Sequence, residues 1–98
     1  MNTDKVTETI EERAKVYGDP YESHVNIGLA WTALLRQSKH LPPNSAYVIP
    51  ASLVAQMMVV FKMQRSARVF KEDNYVDAHA YTKFAEEFQL REGKENLK

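Results

Sequence analysis

Apolar positions recur along this chain at helical spacing in four separate blocks. In residues 3–17 the side chains of Val6, Ile10, Arg13 and Tyr17 stand at i, i+4, i+7 and i+11, one face of a helix. Gly18 follows, where a helix can end in left-handed geometry at no cost to glycine. Asp19-Pro20-Tyr21-Glu22 then has the chemistry of a helix start: an N-cap acid, proline at N1 and a glutamate at N3 to complete a capping box. The second helix is expected to run to about Gln37. It carries two apolar faces, one of Val25, Leu29 and Ala33 and another of Ile27, Trp31, Leu34 and Leu35. Two such faces need two partners, either neighbouring helices or another subunit.

Residues 38–49 break the pattern with Pro42-Pro43-Asn44-Ser45. The tract Ala46-Tyr47-Val48-Ile49 has extended character but no second strand to pair with. Pro50 opens a third helix at N1. From Ala51 to Phe61 this helix is apolar almost all round, which predicts the most buried element of the fold. It is expected to end near Phe70, and Lys71-Glu72-Asp73-Asn74 is the expected turn. A fourth helix is expected from about Asn74 to Leu90, capped by Asp73 or Asn74. The fold class that follows is all-α: one compact four-helix domain over residues 1–98, with frayed ends at about 1–3 and 91–98.

The bulk numbers then exclude several functions. Thirteen basic and thirteen acidic side chains cancel, so nucleic acid is not an expected partner. Without cysteine there is no disulfide, thiolate zinc site or thiol chemistry. The opening MNTDKVTETIEER has no apolar core of a secretory signal, and residues 53–61 are too short to span a bilayer. No membrane role is expected, and the cytoplasm is the expected location. Histidines at metal-binding spacing, nucleophile elbows and phosphate-cradling glycine loops are all missing.

The candidate chemistry is concentrated in KMQRSARVFKEDNYVDAHAY, residues 62–81. On a helix Arg65 and Arg68 continue the stripe of Val54, Met57 and Phe61. On the next, Asp73 and Asp77 share a stripe with Tyr81, Phe84 and Phe88. Inward charges cost free energy unless they pair or bind something. One reading is structural: Asp73 caps the helix and Asp77 pairs with Arg65 or Arg68. A second uses Asp73 and Asp77 with Glu22 or Glu12 as oxygen ligands for a hard cation such as magnesium. A third gives a phosphate to the basic residues, with Lys62 at the edge of the face as the residue nearest a ligand. Arg13 has no acid one turn away on its own helix. It either reaches solvent or closes onto the Asp73/Asp77 cluster. The expected polar centre is therefore Arg13, Lys62, Arg65, Arg68, Asp73, Asn74, Asp77 and Tyr81, with Glu22, Asp73 and Asp77 as its metal alternative.

Over residues 12–85, the pattern Glu12-Arg13, Tyr17-Gly18-Asp19, Lys62, Arg65, Arg68, Asp73-Asn74, Asp77 and Tyr81 resembles a family of short phage and prophage proteins with no assigned function. More remotely, Asp77-Ala78-His79-Ala80-Tyr81 resembles the acidic helix of the MazG-like all-α nucleoside triphosphate pyrophosphohydrolases. That resemblance implies a MazG-like helical bundle and magnesium held by paired E-x-x-E and E-x-x-D acids; a homo-oligomer is expected from the two apolar faces of the second helix. This chain departs from the pattern: Asn74 stands for one glutamate, and Lys62 with Arg65 stands roughly where the E-x-x-E pair would be. The expectation is thus a degenerate relative that binds a nucleotide, another phosphate ligand or a host protein, with no cofactor. The alternatives are an active magnesium-dependent pyrophosphohydrolase and a pure protein-interaction module.

Overall fold

Four helices in the order expected account for the described chain: α1 (Thr3–Tyr17), α2 (Pro20–Gln37), α3 (Ala51–Ser66) and α4 (Glu72–Gly93). The computed structural model describes residues 3–93, without the side chains of Thr3, Ala14, Val16 and Tyr17. Gly18 takes the expected positive φ, 81°, between α1 and α2. Asp19 caps α2 as expected, its Oδ1 accepting from the Tyr21 N–H at 3.1 Å. The side chain of Tyr17 and residues 1–2 and 94–98, on which part of the sequence pattern and the expected frayed ends fall, lie outside what is described.

α4 is the spine. It packs along α3 over most of its length and receives α1 on another side, while α2 leans on α3. Alanines make the close α3–α4 approach possible: Ala51, Ala55 and Ala85 are buried together with Phe88, and Tyr21, Val25 and Phe84 pack around them. A second small cluster, Val6, Val76 and Ala80 with Ile10 beside it, fastens α1 to α4. Small residues let backbones come close, but each buries little area, so this core rests on a few rings and branched side chains.

Four boundaries differ from expectation. α3 stops at Ser66, and α4 begins at Glu72. Asn74 therefore lies inside α4, buried, with its backbone N–H on the Lys71 carbonyl, where a cap was expected. Pro50 is the N-cap of α3 and has no side-chain oxygen to offer. The missing cap comes from far along the chain: Glu92 accepts from both the Ser52 N–H, at 3.1 Å, and the Ser52 hydroxyl. Its negative charge also suits the positive end of α3. Arg91 stacks over the Tyr21 ring at 4.4 Å, tying the same end of α4 to α2. The expected helix end at Leu90 falls short because residues 91 and 92 have these partners.

α3 is also less buried than its composition implies. Ala51, Ser52, Val54 and Ala55 are enclosed, but Met57, Val60 and Phe61 face outward. The most buried stripe of α2 lies between the two faces picked out by hydrophobic spacing, whose Val25, Ile27, Trp31 and Leu35 are half-buried on either side of it. It runs His24, Gly28, Thr32 and Arg36, each four residues from the last. Gly28 lies so close to the backbone of Ile49 that an added Cβ would fall on its carbonyl oxygen. Thr32 Oγ1 donates to the Gly28 carbonyl at 2.7 Å and accepts from the Ile49 N–H at 2.9 Å. Arg36 Nη2 donates to the carbonyls of Ser45 and Tyr47 at 2.9 and 2.8 Å. Residues 46–49 form no strand, and a helix supplies hydrogen bonds to the segment instead.

Candidate functional site

Asp77 sits on the buried side of α4, and its two carboxylate oxygens serve different helices. Oδ1 meets Arg13 Nη2 of α1 at 2.8 Å, and Oδ2 meets Lys62 Nζ of α3 at 3.0 Å. The side chains of Asp77, Lys62 and Arg13 are 9%, 15% and 48% exposed, so the pairing grades from core to surface. Two cations on one carboxylate leave this centre one positive charge in excess.

Next to the triad, one helical turn along α4, is a cavity of about 350 Å³. Ile10, Ile27, Met58, Ala80 and Phe84 give it apolar walls, and Arg13, His24 and Tyr81 give it polar groups. Its size falls at the lower end of small-molecule sites. Tyr81 follows Asp77 by four residues and Lys62 follows Met58 by four, so the cavity and triad share the faces of α3 and α4. Burial pushes the Tyr81 phenol up from its ordinary pKa. The Asp77 carboxylate pushes the same way and Arg13 opposes them, so the hydroxyl stays protonated at neutral pH.

His24 is the cavity's least expected member. Its ring is enclosed by Tyr81, Phe84 and Phe88 in edge-on contacts, with centroids 5.8, 5.7 and 5.2 Å away. Nδ1 is 2.7 Å from the Pro20 carbonyl, a distance only an N–H can satisfy, so Nδ1 carries the proton and Nε2 is an acceptor. Nε2 is buried and has no partner among the described residues. Burial drives the imidazole pKa down, partly opposed by the Pro20 carbonyl, and keeps the ring neutral.

The expected centre is thus assembled in part. Arg13, Lys62, Asp77 and Tyr81 come together. Lys62 faces inward on Asp77 and not outward at the rim. Arg65 and Arg68 do not join them. The stripe of Met57 and Phe61 that was expected to lead Arg65 inward is an outward stripe, and the Arg65 guanidinium lies 5.5 Å from the Phe61 ring. Arg68 falls in the turn beyond α3, exposed. Asp73 is exposed in the first turn of α4, where a negative charge suits the positive end of the helix. Glu22 and Glu12 are exposed on α2 and α1. Among the described residues no three acidic or histidine side chains gather to hold a metal, so the set Glu22, Asp73 and Asp77 is not brought together.

Fold and site together define an all-α four-helix domain built around a three-helix ion triad with a small cavity beside it. The chain belongs to the DUF6378 family, a domain of unknown function, whose family model matches residues 3–89. That span holds the whole triad, the cavity lining and His24. Neither a curated protein nor a solved structure matches the chain.

Proposed function

We propose that this protein is a non-catalytic binding domain for a small anionic ligand of the nucleotide or phosphate class, seated in the cavity with its anion against Arg13. One observation carries this reading: two cations share one carboxylate at the end of an apolar cavity. Arg13 is half exposed and spends one nitrogen on Asp77, so the rest of its fork faces an incoming anion. Lys62 is committed to Asp77 and acts by fixing it. The remote resemblance to MazG-like pyrophosphohydrolases supplies the nucleotide class, and the basic residues where those enzymes carry acids supply the lack of turnover. The resemblance to phage and prophage proteins supplies a host cytoplasm as the setting.

Self-association is part of the same reading. Met57, Val60 and Phe61 at i, i+3 and i+4 form an exposed apolar stripe on α3, and Leu29 and Leu34 are bare on α2.

The test is a thermal-shift titration of the pure protein with nucleoside mono-, di- and triphosphates, each with and without magnesium. The expected result is a metal-independent rise with at least one nucleotide that Arg13→Ala abolishes. Ligand at a hundredfold over its Kd adds about 2.7 kcal/mol, several degrees for a domain of this size. A rise that needs magnesium would overturn this reading for the pyrophosphohydrolase alternative. No rise with any nucleotide would overturn it for a host-protein partner.

A further inference from the structure

The connection between α3 and α4 has an unusual composition for a solvated turn. It reads Ala67-Arg68-Val69-Phe70-Lys71, with none of the glycine, proline, asparagine or serine that turns ordinarily carry. Val69 and Phe70 are 63% and 72% exposed, and Phe70 is the barest large apolar side chain described. The charge around them has one sign. Arg65, Arg68 and Lys71 are all exposed, and no acid occurs between residues 62 and 71. The acids that follow are engaged elsewhere: Glu72 pairs with Lys5 of α1, and Asp73 also favours that ammonium's charged form.

Two bare apolar side chains among three cations match an anionic lipid surface. The apolar pair enters the boundary between headgroups and acyl chains, while the long basic side chains reach the headgroup anions. Either half alone binds marginally, and the two together supply the double signal that stable anchoring requires. A folded protein needs a matching pocket to receive such a protrusion, whereas a bilayer deforms around it. A nucleic acid would stack bases on ring faces, and one face of Phe70 already lies against Tyr75, with centroids 5.6 Å apart and planes at 29°.

We propose that the α3–α4 connection is a membrane-surface contact: Val69 and Phe70 insert at the headgroup boundary of an anionic bilayer, and Arg65, Arg68 and Lys71 hold its headgroups. The contact is peripheral, since no described helix is long and apolar enough to cross a membrane. It departs from the expectation of no membrane role, which rested on spanning segments and secretory signals alone. It is also independent of the anion site at Arg13, which belongs to α1.

The experiment floats the protein with phosphatidylcholine vesicles and with mixed phosphatidylcholine–phosphatidylserine vesicles, at low and high salt. The expected result is binding to the mixed vesicles only, weakened by salt. Val69→Ser with Phe70→Ser should lower the affinity about tenfold. Arg65→Gln and Arg68→Gln should each lower it about fivefold. All four side chains are exposed, so the helical spectrum should not change. In Phe70→Trp, bromine-labelled acyl chains should quench emission beyond the level seen for Trp31 in the wild type. Absence of binding to the mixed vesicles would overturn the proposal. So would binding that the double serine variant leaves intact and that gives no added quenching, since charge alone would then explain it. Binding to polyglutamate or to an oligouridylate, with none to vesicles, would overturn it for a protein or a nucleic acid. No nucleotide ligand enters the flotation, so its failure leaves the Arg13 site standing.

Discussion

The Asp77 carboxylate uses each oxygen on a cation from a different helix, so neutralising it strands the better-buried cation, Lys62. Asp77→Asn is expected to cost about 2–4 kcal/mol, read by urea unfolding, because a buried ammonium loses its counter-charge. Lys62→Met together with Asp77→Asn should recover much of that loss, since no charge is then left unpaired. If the single variant unfolds at the wild-type midpoint, the triad is not structural. His24 has a different signature. Its folded pKa lies below its unfolded value of about 6.5, so the unfolded chain takes up the proton first as pH falls. The stability tied to the neutral ring is complete above about pH 6.5 and is lost progressively below it. Melting temperatures between pH 7.5 and 5 should fall more steeply for the wild type than for His24→Phe, and parallel curves would refute the assignment.

At the scale of elements, α2 shows why some of the fold is legible in the sequence and some is not. Its start is written locally, in Asp19, Pro20 and the preceding Gly18, and those signals depend on no distant partner. Its orientation is written in what it touches. Hydrophobic spacing chose two faces, one of Val25, Leu29 and Ala33 and one of Ile27, Trp31, Leu34 and Leu35. The helix buries most deeply the line between them, His24, Gly28 and Thr32 with Arg36, because its partner along residues 45–49 is backbone and backbone is met by a glycine, a hydroxyl and a guanidinium. The same reasoning covers α3, whose outward stripe of Met57, Val60 and Phe61 carried Arg65 with it. It also covers the cap from Glu92, which no local motif announces. In the site, Arg13 and Asp77 were legible as inward charges lacking a local partner. His24 was not, since one histidine on a mixed face carries no signal. Thr32→Val is expected to destabilise by about 1–3 kcal/mol by leaving the buried Ile49 N–H without an acceptor. Gly28→Ala should cost at least as much, even though alanine favours helix by about 1 kcal/mol. Chemical unfolding checks both, and amide exchange at Ile49 should rise in each.

For the whole molecule, the radius of gyration is 15.0 Å. The exposed apolar stripe on α3 and the bare Leu29 and Leu34 of α2 leave surface that a second copy can cover. Val60 is 67% exposed and makes the simplest probe. Light scattering after size exclusion should find the wild type larger than one chain and Val60→Glu shifted to a single chain with an unchanged helical spectrum. A wild type that runs as a single chain at all concentrations would rule out self-association through this face.

The way α2 grips residues 45–49 has an evolutionary consequence. Thr32 and Arg36 read carbonyls and an N–H, and of the tract's own side chains Ile49 is buried while Ala46, Tyr47 and Val48 stand in solvent. Selection on the fold therefore acts on the clamp and hardly at all on what the clamp displays. Members of the family should keep the small, hydroxyl and guanidinium residues of α2 together. Their exposed tripeptide is then free to diverge, a short segment on which new recognition can evolve without disturbing the helices beneath.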